Sequence, residues 1–274
     1  MASSRRRKRR TRIIAGIITA TVLAGAGAAI GVSALSARES YQPDPNIAAK
    51  AEAYASKVAS DMKAKDEAAA EARIIKLPFP KDRPLSVFYA GDSLSYGLFV
   101  SAAANGFRPQ VNTELRKHGL IEEHRATKAD EKALFKVGNV QDIPESGVDL
   151  AILELGTNDL GTNEVGSRTE PALFRKQYED LVVKVKRSPG VQIICVGVWG
   201  QSGPTISDPY DHEIQNVCRE HGGQYVDLTA AYETKGSFGP KDSPSFLGPS
   251  DNFHPNDQGH RMIADLILER IRVV

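Results

Sequence analysis

Cysteine, tryptophan and methionine are scarce: the chain's 274 residues include 2 Cys, 1 Trp and 3 Met. Neither a thiolate metal cluster nor a disulfide-dense scaffold can be built from so few sulfurs. No H-E-x-x-H run and no clustered Cys/His spacing occurs, so no metal and no cofactor is expected. A formal net charge of +1 shows no chain-wide basic bias, and nucleic acid is not an expected partner. No phosphate-cradling glycine loop is evident either; "GTNDLGTNEVG" at 156–166 reads better as a loop at a site than as a nucleotide cradle. Internal repeats are absent.

The basic residues that do exist are concentrated at the start, in "SRRRKRRTR" at 4–12, directly before the uncharged run "IIAGIITATVLAGAGAAIGVSAL" at 13–35. As a helix that run would span roughly 35 Å, enough for a bilayer core of about 30 Å and longer than a signal-peptide core. Basic residues stay on the cytoplasmic side. The expectation is a basic cytoplasmic tail (1–12), a single-pass membrane anchor (13–35) and an exported remainder. The competing reading is secretion after signal cleavage, for which "VSA" at 32–34 is suitable; length favours the anchor. Residues 36–84 follow as an Ala-rich helical stalk and linker, with Asp44 placed to cap and Pro45 at the first helical position. "LPFPKDRP" ends that helix, and the folded domain is expected over 85–274.

Within that domain, apolar runs bounded by polar residues predict five strands, at 85–90, 133–138, 149–155, 191–199 and 224–228. Helical stretches fall near 97–118, 169–187, 209–221 and 256–272. The alternation implies a three-layer α/β/α sandwich around a five-stranded, flavodoxin-like parallel sheet. In the order 2-1-3-4-5 the first and third strands are neighbours, and a site forms at their carboxyl ends. The first ends at "GDS" and the third leads into "GTND", so two polar motifs converge there.

"VFYAGDSLSYGLF" at 87–99 places a serine between strand and helix, and a nucleophilic serine needs a base and an orienting acid. Of the six histidines, only His254 has an acid at loop spacing, in "SDNFHPNDQG", where Asp251 precedes it by three and Pro255 keeps it out of helical geometry. His118, His124, His212 and His221 are expected on or beside surface helices, and His260 to pack inside the last helix.

The ordered set "GDSLSYG", a glycine before "NVQ", "GTND" and "DNFHP" resembles the GDSL, or SGNH, hydrolase family over about Leu85 to Val274. The resemblance implies Ser93 as nucleophile, His254 as general base and acid, and Asp251 as its orienting carboxylate. It also implies an oxyanion hole from the backbone N–H groups of Ser93 and Gly138 and the side-chain amide of Asn158. Gly106 and Gly119 are poorer choices than Gly138, since neither follows a plausible strand. The α/β-hydrolase elbow G-x-S-x-G is not met, because Ser95 stands where its second glycine belongs.

The expected activity is that of an exported, membrane-tethered serine ester hydrolase acting on small-acyl or carbohydrate esters through an acyl-enzyme. The alternatives are an O-acyltransferase of cell-envelope glycans and a catalytically inactive glycan-binding surface domain. Expected partners are a small-molecule or glycan ester and the membrane, through residues 13–35. Trp199, Phe99, Phe246 and Phe253 are available to line a pocket or simply to pack. Cys195 and Cys218 lie on a strand and the helix after it, where they either pack as small apolar residues or form a bridge.

Overall fold

Runs such as Leu85–Gly91 and Leu150–Glu154 are buried along their whole length, the pattern of strands covered on both faces. In the computed structural model of the chain, which describes residues 45–127, 135–161, 168–201, 203 and 206–274, these runs form the middle of a parallel sheet. The strands are β1 (Ile75–Leu77), β2 (Leu85–Gly91), β3 (Ile121–Thr127), β4 (Leu150–Glu154), β5 (Gln192–Val196), β6 (Gln224–Val226) and β7 (Ile271–Val273). The helices are α1 (Pro45–Glu71), α2 (Ser93–Tyr96), α3 (Phe107–Leu115), α4 (Pro171–Val185), α5 (Asp208–Glu220), α6 (Thr229–Glu233) and α7 (Asp257–Leu268).

The main sheet runs β3-β2-β4-β5-β6, all parallel, which is the expected 2-1-3-4-5 order. Side chains alternate between its faces. Val87, Tyr89, Ile152 and Ile194 pack with Phe107, Val111, Ile263 and Ile267 from α3 and α7. Phe88, Ala90, Leu153 and Ile193 pack with Phe174, Tyr178, Ile214 and Val217 from α4 and α5. The result is three layers with a hydrophobic core on each side of the sheet.

Two expectations are corrected. The second strand is β3 at 121–127, not 133–138: residues 135–136 are irregular and Val137–Asn139 form a 3-10 turn, while 133 and 134 lie outside the described residues. The cause is that β3, "IEEHRAT", is an edge strand whose polar residues meet solvent. Phe135, Val137 and Val140 are apolar because they pack into the core between the sheet and α4. His124 accordingly sits on this edge strand rather than beside a helix. The linker also contributes to the fold, because Ile75–Leu77 pair in parallel with Ile271–Val273 and bury Ile75 and Leu77.

Helix α1 starts at Pro45 as expected, and its described side chains are exposed. Asp44 and the proposed span 13–35 lie outside the described residues; among the described residues no helix is long and apolar enough to cross a membrane.

Cys195 of β5 and Cys218 of α5 are bridged, with α-carbons 6.1 Å apart and a sequence separation of 23. Closing a loop of that size contributes about 3 kcal/mol in the chain-entropy model. Reduction, or a double Cys→Ala substitution, is expected to lower unfolding stability by about that amount, read from urea denaturation with and without reductant.

Candidate active site

Gly91 and Glu154 are register partners at the carboxyl ends of β2 and β4, so the chain leaves the sheet from both strands side by side. Asp92 caps helix α2: its carboxylate accepts the Leu94 N–H, which satisfies one of the orphan first-turn donors. Ser93 is therefore the first helical residue, lifted clear of the sheet, and the helix stops one turn later at Gly97 with φ +84°. From β4, Gly156 adopts φ +126° where a Cβ would press to 3.0 Å from Val198, and a 3-10 turn, Thr157–Leu160, presents Asn158.

Asp251 and His254 arrive on the loop before α7. Asp251 Oδ1 accepts the backbone N–H of Phe253 at 2.9 Å and of His254 at 2.8 Å, an arrangement that folds the loop around its carboxylate. Asp251 Oδ2 lies 2.7 Å from His254 Nδ1. His254 Nε2 lies 2.9 Å from Ser93 Oγ. The three side chains thus form one hydrogen-bonded chain. Burial raises the Asp251 pKa, but the His254 ring and the two backbone N–H groups outweigh it and bring the carboxyl down to about 2. Phe99 and Phe253 stand edge-on to the imidazole, with ring centroids 5.3 and 5.2 Å away. Pro255 pairs with Phe238 in an isolated bridge, and Asn256 caps α7 by accepting the Gln258 and Gly259 N–H groups.

Asn158 Nδ2 donates to Asp92 Oδ2 at 3.3 Å and to the Phe135 carbonyl at 3.2 Å. Its neighbour Asp159 accepts the Val137 N–H and the Thr169 hydroxyl. Two adjacent residues therefore tie the 135–139 segment to the site. Gly138 lies in that segment with its α-carbon toward α4, where a Cβ would come within 2.5 Å of Gln177 Nε2. Among the described residues, no hydrogen bond links Gly138 to Ser93, Asp251 or His254. His260 is fully buried, stacks on Phe107 and is pushed by burial to a pKa of about 4, a packing residue as expected.

Two acids to which the sequence pattern gave no role stand beside these residues, and Trp199 turns out to brace them. Asp92 and Glu154 are completely buried behind Ser93. Glu154 had a signal, an acid inside the apolar run "LAILEL", where burial is costly without a purpose. Trp199, fully buried, donates Nε1–H to the Phe253 carbonyl at 2.7 Å and so braces the loop that carries His254. Trp199→Phe leaves that carbonyl without its donor. A loss of about 1–3 kcal/mol in unfolding stability and a lower kcat are expected, checked by denaturation and steady-state rates on one preparation.

Residues 89–262 match the GDSL-like lipase/acylhydrolase family model. The chain belongs to this family. As a GDSL-like acylhydrolase it is a serine ester hydrolase of the SGNH type. It is similar in fold to an acetyl-xylooligosaccharide esterase, Axe2 from Geobacillus, with a TM-score of 0.52 and 16% identity over 73% of this chain and 100% of that one. It is also similar in fold to TesA, with a TM-score of 0.50 and 14% identity over 67% of this chain and 96% of that one. No curated protein matches this GDSL-like chain in sequence.

Proposed function

We propose that the chain cleaves small-acyl esters of carbohydrates, with Ser93 as nucleophile, His254 as general base and then acid, and Asp251 as the carboxylate that orients the imidazole. The observation that carries this reading is the unbroken line from Ser93 Oγ through His254 to Asp251, at 2.9 and 2.7 Å. As Ser93 Oγ attacks the ester carbonyl, its proton passes to His254 Nε2, and the imidazolium is met by an Asp251 that is already anionic. The oxyanion is received by the Ser93 N–H and the Asn158 amide, with the Gly138 N–H as the third donor that the family resemblance implies. Collapse expels the alcohol, which takes the proton from His254. Water then attacks the acyl-enzyme with His254 as base.

A carbohydrate alcohol is supported by an open groove of about 290 Å³ that reaches the site through Phe99, whose ring meets the His254 imidazole edge-on, and is otherwise lined mainly by Ser101, Ser243, Ser250, Asn256, Asp257 and Gln258. Hydroxyls, amides and a carboxylate around one aromatic ring give a sugar both hydrogen-bond partners and an apolar face to stack on. Acetate release from acetylated xylo- and manno-oligosaccharides, compared with p-nitrophenyl esters of graded chain length, tests this. Acetate release with declining rates beyond short chains is the expected result; a preference for long acyl chains overturns it.

We further propose that this domain works outside the cytoplasm, tethered by 13–35. The basic-then-apolar order of the N-terminus supports this, as does a cysteine bridge of the kind oxidising compartments permit. Protease added to intact cells with a permeable envelope should release the domain; protection of the domain overturns export.

A further inference from the structure

Three buried carboxyl groups lie behind the nucleophile, and acyl transfer consumes none of them. Glu154, the last residue of β4, accepts both the N–H and the hydroxyl of Ser95 on one oxygen, at 3.1 and 2.9 Å. Its other oxygen has no hydrogen-bond partner. The close fit extends to Gly91, where a Cβ would fall 1.8 Å from Ser95 Oγ. Asp92 accepts the Leu94 N–H on one oxygen and the Asn158 amide on the other. Asp159 is held by Val137 N–H and the Thr169 hydroxyl and faces Lys136.

The titratable groups that face Asp92 are Glu154 from β4, Asp159 from the following turn and His254 from the loop before α7. Two desolvated carboxylates this close cannot both ionise cheaply. Burial is the first cause for each: it raises Asp92 to about 7 and Glu154 well above the carboxylate range. Asp92 has the better claim to the charge, because the Leu94 N–H and the Asn158 amide donate one to each of its oxygens, whereas both donors to Glu154 meet a single oxygen.

We propose that Asp92 and Glu154 form a positioning pair carrying one negative charge: neutral Glu154 fixes the nucleophile turn through Ser95, and anionic Asp92 holds one N–H of the Asn158 amide while the other, on the Phe135 carbonyl in the resting structure, turns to the reacting ester. The inference rests on the proposed roles of Ser93 and Asn158. Two of the first-turn amides of α2 are already occupied, Leu94 by Asp92 and Ser95 by Glu154, and the Ser93 N–H is the one left for an oxyanion. Activity then needs Asp92 ionised as well as His254 neutral. As pH falls, a proton on Asp92 is added to the one that stops any general base, and the acid limb of log kcat/KM should steepen beyond one proton.

The test uses the whole chain and p-nitrophenyl acetate from about pH 5 to 9, after fluorophosphonate labelling of the parent. Absence of Ser93 labelling would defeat the function proposed above; labelling with the outcomes below judges the pair alone. Asp92→Asn is expected to lower kcat about 10- to 100-fold with KM within about twofold, and to relax the acid limb to one proton. Glu154→Leu is expected to lower kcat about tenfold or more, and Glu154→Gln, which keeps the shape and the acceptor of the neutral acid, to recover most of that loss. A parent acid limb of one proton, an Asp92→Asn enzyme with the parent's kcat, or a Glu154→Gln enzyme as poor as Glu154→Leu each overturns the proposal. If Asp92→Asn does not fold, the parent limb and the Glu154 series decide it.

Discussion

Ser93→Ala is expected to reduce kcat about 10⁴- to 10⁶-fold while leaving unfolding stability within about 1 kcal/mol of the parent. The asymmetry follows from placement. Ser93 is partly exposed at the start of α2, and the turn that presents it is held by neighbours: Asp92 through Leu94, and Glu154 through Ser95. Removing one hydroxyl from such a position deletes the attacking atom and little of the packing. The residual rate, from oriented binding and oxyanion donors alone, sets the floor. The measurement is burst and steady-state release of p-nitrophenol, with urea denaturation of the same sample. Activity within about tenfold of the parent would remove Ser93 from the mechanism. His254→Ala should fall to a similar floor, since residues that act as one unit lose almost everything together. Asp251 stays anionic down to about pH 2, so it holds its charge throughout the range in which an imidazole titrates.

Much of this site was legible because its chemistry is local. Asp251 and His254 are three residues apart on one loop, where Pro255 keeps His254 out of helical geometry, and GDS and GTND each follow a strand whose apolar run is plain in the sequence. Strand order then put the two motifs side by side. Features that depend on long-range burial were not legible. An edge strand such as β3 exposes its charged residues, so "IEEHRAT" resembles a surface segment, while "ALFKVG" is apolar for a reason other than pairing. The three-residue strands β1 and β7 are too short to show a period and exist because they bury Ile75 and Leu77 together. The acid inside "LAILEL" is visible in the sequence, but only the fold shows that its carboxyl meets the N–H and hydroxyl of Ser95. The cysteines marked a possible bridge by number and setting, but it took the packing of α5 on β5 to bring their α-carbons to 6.1 Å.

Asn158→Ala is expected to lower kcat about 10²- to 10³-fold with KM changed by no more than about threefold. In the resting structure the amide donates to Asp92 and to the Phe135 carbonyl at 3.3 and 3.2 Å, at the long and therefore weak end of the N–H···O range. An oxyanion forming on the ester is a charged acceptor, and charge-assisted bonds are shorter and about twice as strong. The amide therefore gains most when charge develops, which lowers the transition state more than the Michaelis complex. A ground-state carbonyl offers no such gain, and that is why KM should hardly move. The substitution also leaves two buried acceptors short of a donor, at a cost of about 1–3 kcal/mol each, so stability must be measured beside the rates. Asn158→Asp sharpens the contrast: it nearly keeps the volume but sets a third acid against Asp92, so kcat should fall at least as far as in the alanine variant. A loss confined to KM, in a protein as stable as the parent, would make Asn158 a substrate-binding residue and leave the oxyanion to the backbone N–H groups alone.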